Sequence, residues 1–487
     1  MRARLRRLAA QAGEFGDTAT YFSTVVAAQL ASLILLPVAT RYLTPPVYGE
    51  YALALSITGL AGIVGSAWVR NVGMRLYFDH VSEGRTRAFL LTAATLQAAT
   101  MAGTLLLGYF LVVATGQHLG PGLYAAAAVS VLAGDFYALV AIVLRAGQRA
   151  RAFGLAEWVS SVLRVGVTWL ALAAGFRNPT AIFVCNALTF AAAVFVVLPS
   201  LSGLLTGVAT FEVSMVRELV RLGLPNIPQS VSSWVMSLSD RVLVARYLGV
   251  GAVGVYSAAY SVADRAVSGL VSALLLASWP AILSVWASHA ARVPSAISRW
   301  IGAYVLLTLG PSVLLVIQRE FVLRVLLSPE YVAAADVVPW VVAAAWLSGL
   351  ATYLNRPLEL QKRYGSLSAL ALVSAALNIV FNLVLIPRWG VTGAAAATTA
   401  AYAAWALLSR VFAERLLRVS IPWTLVGGAL LATVLALLAA QPFMSPLAAI
   451  PVYVGVYLAV ALAVWTRTAP SALHESEPPP VVEGITS

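Results

Sequence analysis

Apolar stretches of about twenty residues recur fourteen times along this chain, a length that spans the hydrocarbon core of a bilayer as a helix. Their approximate ranges are 18–40, 50–69, 88–113, 122–144, 155–175, 179–200, 221–245, 252–280, 300–318, 333–354, 366–386, 392–412, 422–440 and 446–466. Lipid offers no hydrogen-bond partner to backbone N–H and C=O groups, so runs of this kind must satisfy them internally. Only 10% of the 487 residues are charged and 61% are hydrophobic, whereas a soluble domain carries roughly 25% charged residues. The fold class that follows is an all-α polytopic membrane protein with about 14 transmembrane helices. The seventh and eighth runs are the most polar, and a bare hydropathy cut is expected to miss one of them.

Placing the basic residues on alternate sides tests this count. With the N-terminus inside, 22 basic residues fall in inner loops and tails, 6 fall outside, and Arg164, Arg241 and Arg265 lie at membrane depth. That bias is the one the positive-inside rule expects, and it places both termini in the cytoplasm. Arg2, Arg4, Arg6 and Arg7 are not read as the start of a signal peptide, because the apolar run that follows is long enough to span. The stretches 200–220 and 281–299 read as short amphipathic pieces on the inner face. Residues 468–487 read as a disordered cytoplasmic tail.

The chain also repeats itself. Arg41-Tyr42-Leu43 opens the phrase RYLTPPVYGEYA, and Arg246-Tyr247-Leu248 opens RYLGVGAVGVYS, at an offset of 205 residues. The division expected is an N-terminal six-helix bundle over 1–203, a second over 204–418, and two additional spans over 419–467. Duplicated bundles usually hold a substrate site between the repeats. The tyrosines of the phrase, Tyr42, Tyr48, Tyr51, Tyr247 and Tyr256, fall at outer span ends, where interface anchoring is the plain reading and stacking on sugar rings the sharper one.

Several chemistries are absent from the sequence. There is no GxxxxGK[ST], HExxH or GxSxG. Gly249-Val-Gly251-Ala-Val-Gly254 fits GxGxxG but has no βαβ context, and it coincides with Thr44–Gly49 of the other repeat, so it reads as a tight loop. One cysteine, Cys185, makes no disulfide framework. His80, His118, His289 and His474 have no ligand spacing to one another, so no metal or cofactor is expected. The net charge of +12 is scattered over short loops rather than gathered in a stripe, which argues against a nucleic-acid partner. No large outer loop is present, which weighs against a glycan polymerase or acyltransferase and against an enzyme in general.

Three motifs carry a family resemblance. Leu377-Asn378-Ile-Val-Phe-Asn382-Leu-Val-Leu385-Ile386-Pro387-Arg388-Trp-Gly390-Val-Thr-Gly393-Ala394-Ala395 resembles the LN-x3-NLxLIPxxGxxGAA signature of polysaccharide transporters. Gly223-Leu-Pro225-x-x-Pro228 with Ser239-Asp240-Arg241 is similar to the stretch that opens that family's second bundle. Tyr48-Gly49-x-Tyr51-Ala52 and Val253-Gly254-x-Tyr256-Ser257 resemble its recurring helix-joining phrase. Over about residues 10–415 the chain resembles the O-antigen and exopolysaccharide flippases of the multidrug/oligosaccharidyl-lipid/polysaccharide exporter superfamily. The resemblance implies two six-helix bundles forming a V around a central cavity. It implies that an undecaprenyl-pyrophosphate-linked oligosaccharide is moved from the cytoplasmic to the outer leaflet of a bacterial inner membrane by alternating access. Membrane lipid, a polysaccharide polymerase and a ligase would be its partners. A drug/cation antiporter and a lipid II flippase are the rivals on the same fold.

A charge at membrane depth is costly, so such residues face a wet cavity or a partner. Arg241, Arg265 and Arg164 are the candidates for a cationic cavity that takes the pyrophosphate, since guanidinium pairs two phosphate oxygens at once and stays charged. Asp240, Asp264 and Asp135 are candidates for ion coupling. The competing reading has Asp240, Arg241, Asp264 and Arg265 cross-pair between helices and lock the bundle, because neighbours in sequence do not face each other on a helix. Subtracting the repeat offset lands on Leu35-Leu36 and Gly59-Leu60, so these charges belong to the second repeat alone. Arg70 is placed either at the cavity mouth or as an inner-face anchor with Arg75. Asn378 and Asn382, four apart on one face, are read as helix glue or as sugar contacts. Pro225 and Pro228 mark either a bend or a helix start.

Overall fold

The computed structural model describes residues 30–114 and 119–468, together with Thr24 and Ala28. Asp17, His118, the start of the first span, the N-terminal arginines and the tail after Thr468 lie outside the described residues. Among those described there are helices and turns and no strand. Helix α1 covers Leu30–Tyr42. Helix α2 (Pro45–Gly62) runs through a π turn at Ile63–Ala67 into α3 (Trp68–Ser82). Then come α4 (Thr86–Ala114), α5 (Pro121–Ala146), α6 (Ala150–Ala173) and α7 (Pro179–Leu201). A short helix α8 (Val213–Gly223) links the halves.

The second half holds α9 (Ile227–Leu248), α10 (Val250–Ser288), α11 (Val293–Ile317), α12 (Arg319–Leu326), a 3-10 segment Pro329–Val337, α13 (Val338–Leu360) and α14 (Tyr364–Glu414). Helices α15 (Trp423–Ala440) and α16 (Pro446–Thr468) follow.

Eleven of these helices are long and apolar enough to cross a membrane. The polar α9 is not among them, as its serines and charges foretell. Helix α14 is two spans in one run: Gly390 adopts φ 60°, ψ −139° and folds the chain back on itself. A Cβ at Gly393 would lie 2.6 Å from the Leu385 carbonyl carbon, so the Pro-x-x-Gly-x-x-Gly signature is the sequence of a tight helical hairpin. With α1, α9 and the divided α14 counted, each of the fourteen apolar runs has a helix among the described residues, the first of them from Leu30 onward. The prolines of the Gly-Leu-Pro phrase sit in a 3-10 turn, Leu224–Asn226, and at the start of α9. That is the helix-start reading.

The duplication is visible in the backbone. The turn between α5 and α6 passes through Gln148 at φ 55°, and the turn between α13 and α14 through Lys362 at φ 57°. Arg149 N–H donates to the Leu144 carbonyl at 2.8 Å, and Arg363 N–H to that of Leu358 at 2.9 Å. These are matching turns at corresponding places in the two halves.

The two copies of the repeated phrase meet each other. A Cβ on Gly49 would sit 2.9 Å from the Val250 carbonyl carbon and 3.0 Å from Gly254 N; one on Gly254 would sit 2.7 Å from the Pro45 carbonyl carbon and 3.0 Å from Gly49 N. Repeat-mate glycines thus allow α2 and α10 to cross backbone against backbone at their N-terminal ends. The same end is fastened by Ser328 Oγ, which donates to the Thr40 carbonyl, and by Tyr331 OH, which donates to that of Leu43, both at 2.8 Å. This crossing corrects the interface-anchor reading for three tyrosines. Tyr48 and Tyr256 are buried and Tyr51 turns inward, because the ends of α2 and α10 face each other rather than lipid.

Candidate functional site

Where the halves meet, α1, α2, α9 and α10 enclose a cavity of about 380 Å³, closed further by α13 and α14. Its wall is rich in hydroxyls. Ser32 and Ser56 come from the first half, Ser237 and Ser261 from the second, and the two pairs are separated by the repeat offset of 205 residues. Four serines therefore stand around the cavity as two sets of repeat mates. Ser257, Ser268 and Ser348 add to them, and Tyr48, Tyr51, Tyr260 and Tyr402 supply flat faces with hydroxyl tips. The serine signal lay in the sequence at the same offset as the repeated phrase.

Arg241, Asp264 and Arg265 also line this cavity, but the two arginines differ. Arg241 Nη1 donates to Asp240 Oδ1 at 2.8 Å and to the Ser237 carbonyl, and its guanidinium lies 4.3 Å from the centre of the Tyr260 ring. Asp240 also accepts from Tyr256 OH. Both side chains are deeply buried. The expectation that these neighbours need separate partners is corrected here: the long arginine side chain folds back along α9 until its head meets the preceding carboxylate. The pair is locally neutral. Arg265 instead donates to the Ser32 carbonyl across the boundary between halves. Among the described residues no carboxylate pairs with it. Asp264, one residue earlier, accepts from Ser268 Oγ at 3.0 Å and lies within electrostatic reach of both arginines.

The remaining predicted residues lie elsewhere. Arg70 forms an ion pair with Asp135 inside the first half. Ser66, in the π turn, joins them at 2.5 Å to Asp135 Oδ2 and 2.9 Å to Arg70 Nη1. Arg70 also borders a second pocket of about 410 Å³ with Tyr137, Arg145 and Glu157. Arg164 on α6 stands over the Phe190 ring at 5.4 Å. Asn378 and Asn382 are fully buried. Asn378 Oδ1 accepts from Asn382 at 3.1 Å and from Ser239 at 3.5 Å, and its Nδ2 donates to Thr398 at 3.4 Å, which ties α9 to both arms of α14.

The sequence profile of the family described as Polysaccharide biosynthesis protein matches residues 16–286, more than half of the chain. The chain belongs to that family. A relative from Haloferax volcanii, described as the probable low-salt glycan biosynthesis flippase Agl15, is 21% identical over 213 residues, 43% of this chain and 45% of the relative. The match thus spans less than half the length of that curated protein.

Among solved structures, the lipid II flippase MurJ in an inward closed conformation aligns with a TM-score of 0.71 at 15% identity, over 93% of this chain and 99% of that one. An inward-facing multidrug transporter of the MATE family gives 0.55 at 10% identity, over 80% and 94%. A Vibrio cholerae MATE transporter, VcmN, gives 0.52 at 15% identity, over 83% and 96%. At these identities the likeness is one of fold, and it bears out an all-helical transporter architecture for this member of the polysaccharide biosynthesis family.

Proposed function

We propose that this polysaccharide biosynthesis protein is a flippase that carries an undecaprenyl-pyrophosphate-linked oligosaccharide across the cytoplasmic membrane by alternating access. The observation that carries the reading is Arg265: a guanidinium on the cavity wall, held by a carbonyl rather than a carboxylate. An anionic headgroup supplies the direct partner that Asp264, bonded to Ser268, does not. The surrounding serines and tyrosines suit the hydroxyls and apolar faces of sugars. The cavity's volume of about 380 Å³ suits the charged headgroup and its first sugar rather than the entire glycan. The isoprenoid tail stays in lipid.

Within this reading, residues 1–203 and 204–418 are the two moving bundles, both termini face the cytoplasm, and the glycan is delivered to a polymerase or ligase outside. The Gly49–Gly254 crossing and the Ser328 and Tyr331 bonds close the outer end in this state. Asp264 and Asp240 are the candidates for a coupling ion. Arg241, held by Asp240 and Tyr260, shapes the wall.

One observation favours a second reading. Asp264 and four tyrosines in the same cavity would also suit an organic cation, as in a drug/cation antiporter. Proteoliposomes separate the two. A fluorescent undecaprenyl-pyrophosphate oligosaccharide placed in one leaflet should become accessible in the other when the protein is present. No movement of that lipid, with proton-driven uptake of a cationic dye instead, would replace the flippase reading with the antiporter.

A further inference from the structure

A polar stripe, buried at its hydroxyls and half-buried at its charges, runs along one face of α6. Glu157, Ser160, Ser161, Arg164 and Thr168 recur at intervals of three to four residues and so share a face. That face points into the first half: Ser160 and Ser161 are 1% exposed and Thr168 0%, whereas Val162 on the opposite side is 59% exposed. The stripe is poorly matched by protein. Ser161 Oγ and Arg164 Nε, with Asn186 Oδ1 of the facing α7, are buried and have no hydrogen-bond partner among the described residues, while Thr168 faces Cys185 of α7. Unpaired polar atoms inside a membrane helix bundle are costly, and several in one seam call for a common partner.

The stripe has an entrance and an exit. Its inner end is the pocket formed by Arg70, Tyr137, Arg145 and Glu157, where Tyr137 OH donates to Glu157 Oε1 at 2.7 Å. Tyr137 in turn lies within electrostatic reach of Arg164. Its outer end is Tyr51 on the wall of the central cavity, which stands beside Asn186 and Arg164.

We propose that the first bundle encloses a water-filled track along this face of α6, from the Arg70–Arg145–Glu157 pocket to the central cavity, with Arg164 as a site for a small inorganic anion within it. Water satisfies polar atoms that no side chain reaches. The anion follows from charge. A guanidinium does not lose its proton, and a half-buried cation at membrane depth is costly without a counter-charge. No carboxylate pairs with Arg164 among the described residues, and the nearest acid on its own face, Glu157, lies two turns away and is bonded by Tyr137. A fixed positive charge in a narrow polar passage also repels cations. The track stands apart from whatever cargo the cavity carries.

The test uses the whole protein with Cys185→Ala as background, reconstituted in vesicles. Ser161→Cys and Thr168→Cys report on the track, and Val162→Cys reports on the lipid face of the same helix. Thiosulfonate reagents need a thiolate in water, so both track positions should react about tenfold or more faster than Val162→Cys. The anionic reagent should outpace the cationic one, and Arg164→Gln should abolish that preference while labelling persists. Two positions guard against one variant failing to fold. Reaction at both as slow as at Val162→Cys, in protein that remains monodisperse, overturns the track. Fast reaction with no preference for the anionic reagent overturns the anion site.

Discussion

The two halves of this molecule share a frame and differ in what they do with charge. In the first half the ion pair of Arg70 and Asp135 turns inward on its own bundle, closed by Ser66 at the π turn, away from the central cavity. In the second half Arg241, Asp264 and Arg265 stand on the cavity wall, at positions where the first half has Leu36, Gly59 and Leu60. What the halves keep in common is geometric: mated glycines at the crossing, matching left-handed turns, and serines at equal places around the cavity. The matched features shape the container, and the charged wall comes from the second half alone.

Breaking the buried pair of the second half should have the largest effect. Asp240→Ala leaves the Arg241 guanidinium buried without its carboxylate, at a cost of about 3–5 kcal/mol, read as a fall in melting temperature. Replacing both, with Asp240→Leu and Arg241→Met, should recover most of that loss, because the pair's net worth is small.

The shared frame is tested by the glycines. Gly49→Ala or Gly254→Ala drives a methyl into backbone that cannot move alone, and overpacking of this kind costs about 1–3 kcal/mol. The cost falls on the crossed end, which the proposed orientation puts outside, so labelling of Ser257→Cys from that side should rise in either variant. Gly59→Ala, with open space around its Cβ, is the control that should change neither stability nor access.

Smaller still on stability is Arg265→Gln. It should leave the melting temperature nearly unchanged and weaken binding of an anionic headgroup by about tenfold or more, as loss of a charged hydrogen bond does. Asn378→Ala removes the tie between α9 and α14. Interhelical polar contacts in membranes average about 0.6 kcal/mol, so only a slight loss of stability is expected.

Much of the fold was legible because its determinants are local. Run length names the helices, polar α9 included, and Pro387, Gly390 and Gly393 specify a hairpin by the space they leave. The central cavity was half legible. Charges at membrane depth stand out against an apolar background, so Arg241, Asp264 and Arg265 were found, but a sequence does not show which way an arginine folds. Arg241 turns back to Asp240, and Arg70 reaches across to Asp135, contacts set by side-chain length and by packing between distant helices. The serines carried a signal at the repeat offset that charge-seeking passes over. Ser328 and Tyr331 carried none, since their partners are backbone carbonyls of another half.

The contrast between the halves narrows to Arg265, proposed to serve the cargo, and the Arg70–Asp135 pair, proposed to serve the fold. The most direct test measures flipping of the fluorescent undecaprenyl-pyrophosphate oligosaccharide in proteoliposomes for two variants side by side. One is Arg265→Gln; the other neutralises the first-half pair with Arg70→Met and Asp135→Leu together. Flipping should collapse in the first, with the protein still folded, and persist in the second. Flipping that survives Arg265→Gln but is abolished in a folded protein lacking the Arg70–Asp135 pair would contradict that contrast.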